Sequence, residues 1–187
     1  MDLPLKPRAG IYIDDSNLYK RGRASGWMVD YNKLYQWVSK INIIVHARVY
    51  IGLPKYEPGR SIVLRMIRHL EKTGYVPTTK DLKRLRDEGS SEGFKNKCNF
   101  DIEMHDEIMR DLSEIDVVYI ASGDSDFIRT KDNILKCGKR VKFLAYSKNC
   151  AWEIRSGSWY VSLDSIKAEV SHITEKPGTR PGEVAQG

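Results

Sequence analysis

The sequence predicts an α/β fold, with a mainly parallel central sheet flanked by helices on both faces. Three observations carry this. Short apolar, β-branched runs alternate with amphipathic stretches along the whole chain. Those runs are near-continuously hydrophobic, as strands covered on both faces must be. Acidic residues cluster where the runs end, and sites in open parallel sheets form beyond the carboxyl ends of the strands.

Residues 9–14 (AGIYID) read as a short strand closed by Asp14 and Asp15. DYNKLYQWVSK (30–40) reads as a helix, with Leu34, Trp37 and Val38 at helical spacing. INIIVHARVYIGL (41–53) is the next strand. GRSIVLRMIRHLEKTG (59–74) is an amphipathic helix with the stripe Ile62, Val63, Met66, Ile67 and Leu70, stopped by Gly74. YVPTT (75–79) is a strand held to the sheet edge by Pro77, which lacks a donor N–H. The polar, glycine-containing run 80–97 reads as a loop with room for a short excursion.

A helix from about Asn99 to Ser113 repeats Phe100, Met104, Ile108 and Leu112 every fourth residue. IDVVYIAS (115–122) is the clearest buried strand, and SGD turns it into the helix DFIRTKDNILKCG, stopped at Gly138. KRVKFLAYS (139–147) is a strand, followed by a short helix near 150–156 and a last strand at 159–163. Trp152 and Trp159, close to that apolar strand, are expected in the core. The organisation expected is an N-terminal extension (1–8), one domain (9–165) and a Pro/Gly-rich flexible tail (166–187).

The chain has 187 residues and 41% hydrophobic content, enough for one sizeable core. No apolar run approaches a bilayer-spanning length, and MDLPLKPRAG lacks a signal-peptide core. The expected address is the cytoplasm, or the nucleus in a eukaryote. Cys98, Cys137 and Cys150 are odd in number and widely spaced, which suits reduced thiols. With no C-x-x-C pair and four scattered histidines, a zinc site is not expected. The net charge of +6 suits a polyanionic partner or simply a solvated basic surface.

Asp14, at the end of the first strand, and Asp124 and Asp126, just past the 115–122 strand, converge in one cleft if those strands are neighbours at the reversal point. Asp101, in the first turn of the helix feeding the second strand, lies at the same end of the sheet. Gathered carboxylates repel each other and resist losing water. A divalent cation relieves both, and Mg2+ and Mn2+ prefer such hard oxygen ligands. That combination suits phosphodiester hydrolysis. Each acid has a plainer reading as a helix cap or a partner of a helix dipole.

IYIDDSNLY (11–19), with Asp14 and Asn17, resembles the opening strand of NYN-domain proteins, the LabA-like branch of the PIN-like nucleases. YIASGDSDFIRTKDNILKCGKRVKFLA (119–145) is similar to that family's most distinctive stretch, and NFDIEMHDEIM (99–109) to the Asp-led helix before it. The resemblance spans about residues 9–164 and implies a three-layer PIN-like fold with Mg2+- or Mn2+-dependent cleavage of RNA. Carried over, it implies Asp14, Asp101, Asp124 and Asp126 as catalytic, metal-binding acids, with Asn17 and Ser122 as polar supports. The chain departs from the pattern at Glu107, where members often carry Asp, and at Ser158, where many carry an acid. His105, at i+4 from Asp101, shares its helix face.

For the substrate, Lys20, Arg21, Arg23, Lys95, Lys97, Arg129 and Lys131 are candidates to grip phosphates, and Trp27 and Tyr31 to stack on unpaired bases or to seal the core. RNA is the partner expected first and DNA second, with no membrane; the oligomeric state stays open, a homo-oligomer included. The alternative function is a catalytically weak or inactive RNA-binding, regulatory module. A haloacid-dehalogenase-like phosphatase is disfavoured, because that chemistry needs an acid two residues after the nucleophilic Asp and Ser16 follows Asp14 there.

Overall fold

The first apolar run of the chain forms strand β1 (Arg8–Asp14), which passes directly into helix α1 (Asp15–Ser25). Then come α2 (Tyr31–Ser39), β2 (Ile43–Leu53), α3 (Gly59–Thr73) and β3 (Val76–Asp81). A two-stranded antiparallel ribbon, β4 (Lys83–Arg86) and β5 (Phe94–Lys97), precedes α4 (Asp101–Asp111) and β6 (Val117–Ala121). A 3-10 turn (Ser125–Phe127) leads into α5 (Ile128–Lys136), β7 (Arg140–Ala145), α6 (Trp152–Arg155) and β8 (Tyr160–Ser162). A second 3-10 turn (Leu163–Ile166) and α7 (Lys167–Val170) follow. This computed structural model describes residues 5–86, 94–148 and 150–172, without the side chains of 84–86 and 94–97.

Six strands make one parallel sheet in the order β3-β2-β1-β6-β7-β8. The chain lays strands to one side of β1, then crosses to β6 and builds the other side. The strand order therefore reverses between β1 and β6, the position where α/β sheets open a crevice.

Alternation along the strands divides the core in two. Ile11, Ile13, Val49, Ile51 and Tyr119 face one side and pack against Leu18, Leu34, Val38, Ile67 and Leu70. Tyr12, Tyr50, Val118, Ile120 and Phe143 face the other and pack against Met104, Ile108 and Ile134. Burying one such side chain contributes about 1.5–3 kcal/mol. The three-layer α/β architecture matches the expected class, as do the edge position of β3 and the full burial of Met104 and Ile108.

Several local expectations are overturned. Residues 15–25, given no element beyond Asp15 at the strand end, form α1. Its sequence hides the helix because Leu18 and Gly22 are its buried residues, too few for an apolar period. Gly22 is small for a reason: a Cβ there would lie 2.7 Å from both Met28 Sδ and the Tyr146 hydroxyl. The run 80–97 is not simply a loop but contains β4 and β5, whose cations mask the strand pattern. Ile62 is 58% exposed, so the stripe of α3 is centred on Ile67 and Leu70. Trp152 is 71% exposed on the single turn of α6, whereas Trp159 does pack against the second core.

Packing continues beyond residue 165. Val170 is buried, the Asp30 N–H donates to Val170 O at 2.8 Å, and His172 N–H donates to Met28 O at 2.8 Å. The remainder of the expected tail, 173–187, lies outside the described residues. Among the described residues, no helix is long and apolar enough to cross a membrane.

Candidate active site

Parallel pairing sets Ile13 beside Ala121, so Asp14 and Ser122 emerge side by side at the carboxyl ends of β1 and β6. Asp14 caps α1: its Oδ1 accepts from the Asn17 N–H at 3.1 Å and the Ser16 hydroxyl at 3.0 Å. Its Oδ2 accepts from the Ser122 hydroxyl at 3.3 Å. Fully buried Ser122 also accepts from the Asp124 N–H at 3.3 Å, so one hydroxyl joins both acidic loops. Asn17 Oδ1 accepts from the Gly123 N–H at 3.1 Å, a second tie between the same loops. Asp124 caps the 3-10 turn by accepting from the Asp126 N–H at 3.2 Å. The capping reading of Asp14 and Asp124 is therefore true, and both residues also line the cleft.

Asp14, Asp101, Asp124 and Asp126 line one cleft of about 310 Å3, together with Asn17, Lys20 and Arg21 from the α1 side. Asp101 enters as the first residue of α4, its N–H donating to Asn99 Oδ1 at 2.8 Å. Burial pushes the Asp14 carboxyl above its usual range; the charge of Asp124 adds to this and hydrogen bonds from Asn17, Ser16 and Ser122 oppose it. Burial likewise raises Asp101, opposed by a hydrogen bond with Asn99 and reinforced by Asp126, Asp14 and Asp124. Behind the cleft, burial pushes Asp15 up to about 6, although the Tyr31 hydroxyl donates to it at 2.8 Å.

The donor set is all hard oxygen, and burial, reinforced by like-charged neighbours, raises two of the acids. That chemistry fits Mg2+ or Mn2+. Among the described residues, however, no three Asp, Glu, His or Cys side chains are grouped closely enough to hold an ion by themselves. The four acids share a cleft without forming a closed cage, and Asp14 and Asp124 each also hold a cap. A cation that keeps several waters and takes one or two carboxylates plus substrate phosphate still fits such an open arrangement.

Of the substrate-gripping candidates, Lys20 and Arg21 reach the cleft. Arg23 does not line it and donates to the Tyr19 hydroxyl at 3.4 Å. Trp27 is held elsewhere, its Nε1 donating to Asp164 at 3.0 Å and its ring edge-on to Tyr146. Tyr31 is committed to Asp15. Arg129 is exposed on α5 and does not line the cleft. Lys131 is buried over the Trp159 ring at 4.1 Å and pairs with Asp132, so it is drawn away from the substrate mouth. The side chains of Lys95 and Lys97 lie outside the described residues.

Glu107 accepts from the Tyr50 hydroxyl at 2.8 Å beneath the sheet, and His105 is hydrogen-bonded to Thr130 at 2.9 Å. The Ser158 carbonyl accepts from Lys142 at 3.1 Å. Sequence reasoning missed Ser16, Cys98, Asn99 and Phe100, which also line the cleft. Asn99 carried a signal, since Asn two residues before a helix-leading Asp is placed to accept its N–H.

Three comparisons bear on this arrangement. The profile of the NYN domain matches residues 8–162. The chain is 25% identical over 173 residues to the low amplitude and bright protein LabA of Synechococcus elongatus, covering 91% of this chain and 90% of that protein. The crystal structure of a Vibrio parahaemolyticus protein of unknown function has the same fold, with a TM-score of 0.70 at 20% identity, over 92% of this chain and 100% of that one. With a domain match across most of its length, the chain belongs to the NYN domain family of the PIN-like nuclease superfamily.

Proposed function

We propose that the protein is a metal-dependent ribonuclease acting through the cleft between β1 and β6. The observation that carries this reading is the shared hydroxyl of Ser122, which bonds Asp14 and the Asp124 backbone and so locks two acid-bearing loops together at the sheet reversal. Asp14, Asp101, Asp124 and Asp126 are the residues that would hold a divalent cation. When bound, that ion supplies charge neutralisation at the phosphodiester and a more acidic attacking water.

The chain's own residues do the rest. Lys20 and Arg21, which line the cleft from α1, bind and orient phosphate oxygens of the RNA. Asn17 and Ser122 fix Asp14 and the 123–124 backbone, so little reorganisation is needed when substrate arrives. Asp101, the first residue of α4, adds a carboxylate to the set that would hold the ion, and its N–H is fixed by Asn99.

Labelled RNA incubated with Mn2+, Mg2+ or EDTA tests the reading. Metal-dependent products, abolished in Asp124→Asn with its fold retained, are the expected result. RNA binding without products would instead favour the regulatory module, a reading supported by the open, uncaged arrangement of the acids. A DNA arm in the same assay measures the preference between polyanions.

A further inference from the structure

The β4–β5 ribbon is not used by the cleft chemistry, yet it is built into the cleft's rim. At its outgoing base, the Leu82 N–H donates to Leu53 O at 2.9 Å. Leu82 sits directly on Gly52, where a Cβ would lie 2.4 Å from Leu82 Cδ2. At its returning base, Lys80 Nζ donates to Asn99 O at 3.0 Å and lies over the Phe100 ring at 5.0 Å. Cys98, Asn99 and Phe100, the three residues that follow β5, line the cleft and end at Asp101. The ribbon thus springs from the carboxyl end of β3, on the same side of the sheet as the acids, and returns into the cleft wall.

The two strands are one-sided in charge, and the acids Asp87, Glu88 and Glu92 fall in the segment that joins them. Lys83, Arg84, Arg86, Lys95 and Lys97 fall within the two strands, which contain no acid. The register pairs Lys83 with Lys97 and Leu85 with Lys95, and Arg84 with Asn96 and Arg86 with Phe94, so every cross-strand pair contains a cation. One of these pairs, Lys83 with Lys97, sets like charges opposite each other, which destabilises a ribbon unless something neutralises them. A polyanion does so, and an antiparallel strand of four residues spans about 14 Å, the length of a few phosphates.

We infer that the β4–β5 ribbon is an arm that grips the backbone of an RNA strand outside the cleft and guides it toward Asp101. This rests on the reading of the cleft as an RNA site. The arm contributes affinity that grows with RNA length and depends on salt, and it contributes no base preference.

The test measures binding by the full chain in EDTA, where no cleavage intervenes. The probes are fluorescein-labelled unstructured RNAs of about twenty and about four nucleotides, across a salt series. The variants are Arg84→Ser with Arg86→Ser, and Lys136→Ser with Lys139→Ser as a control that removes the same charge around the C-terminal end of α5, away from the cleft. The ribbon variant is expected to bind the long RNA about tenfold more weakly, with a log–log salt slope shallower by about 1.4, two phosphate contacts' worth for a single strand. Binding of the short RNA and the control variant stay at the parent level. An unchanged slope and affinity for the long RNA, or an equal loss in the control variant, overturns the arm. Metal-dependent cleavage is scored separately on the short RNA. Cleavage with an unchanged slope sinks the arm alone, and a ribbon-dependent slope without cleavage sinks the nuclease reading alone.

Discussion

The Asn17 side-chain oxygen accepts a hydrogen bond from the Gly123 N–H at 3.1 Å, so the first turn of α1 holds the loop that follows β6. The contact spans most of the chain yet sits beside Asp14 and Asp124. Replacing Asn17 with Ala leaves the Gly123 donor without its partner, a cost of about 1–3 kcal/mol. Chemical denaturation should read that loss. Asn17→Asp keeps an acceptor oxygen but adds a charge beside Asp14; it is expected to retain most of the fold stability and to lower metal-free stability above pH 6, where Asp15 is ionised as well.

Stability should depend on pH in an unusual direction. Burial raises the Asp15 carboxyl from 3.8 to about 6, and burial also raises Asp14 and Asp101. Between those values the folded state binds more protons than the unfolded one, so stability falls as pH rises. For Asp15 the loss between about pH 4 and pH 6 is on the order of 3 kcal/mol, levelling off above. Urea denaturation in EDTA at pH 4.5 and 7 should show the drop. Asp15→Asn should flatten it, and a flat profile in the parent protein would contradict the burial of these acids.

Under the sheet, Arg48 clamps Asp111 through two bonds, Nε to Oδ2 at 2.9 Å and Nη2 to Oδ1 at 3.1 Å, while the Tyr12 hydroxyl donates to Oδ2 at 2.8 Å. Burial alone would raise the Asp111 carboxyl, but Arg48 and Tyr12 outweigh it and hold it below the usual range. This ties α4, which carries Asp101 at its other end, to β1 and β2. Asp111→Ala leaves Arg48 half-buried without its fork partner and should cost roughly 3 kcal/mol. Arg48→Lys keeps the charge but loses the fork, so a smaller cost of about 1–2 kcal/mol is expected. Thermal unfolding of the two variants should rank them in that order.

The parts of the fold that were legible in the sequence are those where one side chain pattern has one physical meaning. VVYIA could only be a buried strand, and Phe100, Met104, Ile108 and Leu112 could only face a core. The acids at strand ends followed from the same logic, since a parallel sheet sends its carboxyl termini to one edge. Helix α1 was illegible because Gly22 packs where an apolar side chain would normally announce the buried face. The ribbon was illegible because its cations alternate with few apolar residues. Lys131 and Trp27 could not be placed, because a long amphipathic side chain commits to a partner distant in sequence, here Trp159 and Asp164.

The rate of Mn2+-dependent RNA cleavage by the parent protein, Asp14→Asn, Asp124→Asn and the double variant tests most directly whether these acids act as one site. Groups that work as a unit are strongly non-additive when removed. Each single variant should lose about a hundredfold or more in rate while circular dichroism stays native, and the double variant should be scarcely worse than either. Parent-level cleavage by either single variant would contradict the account.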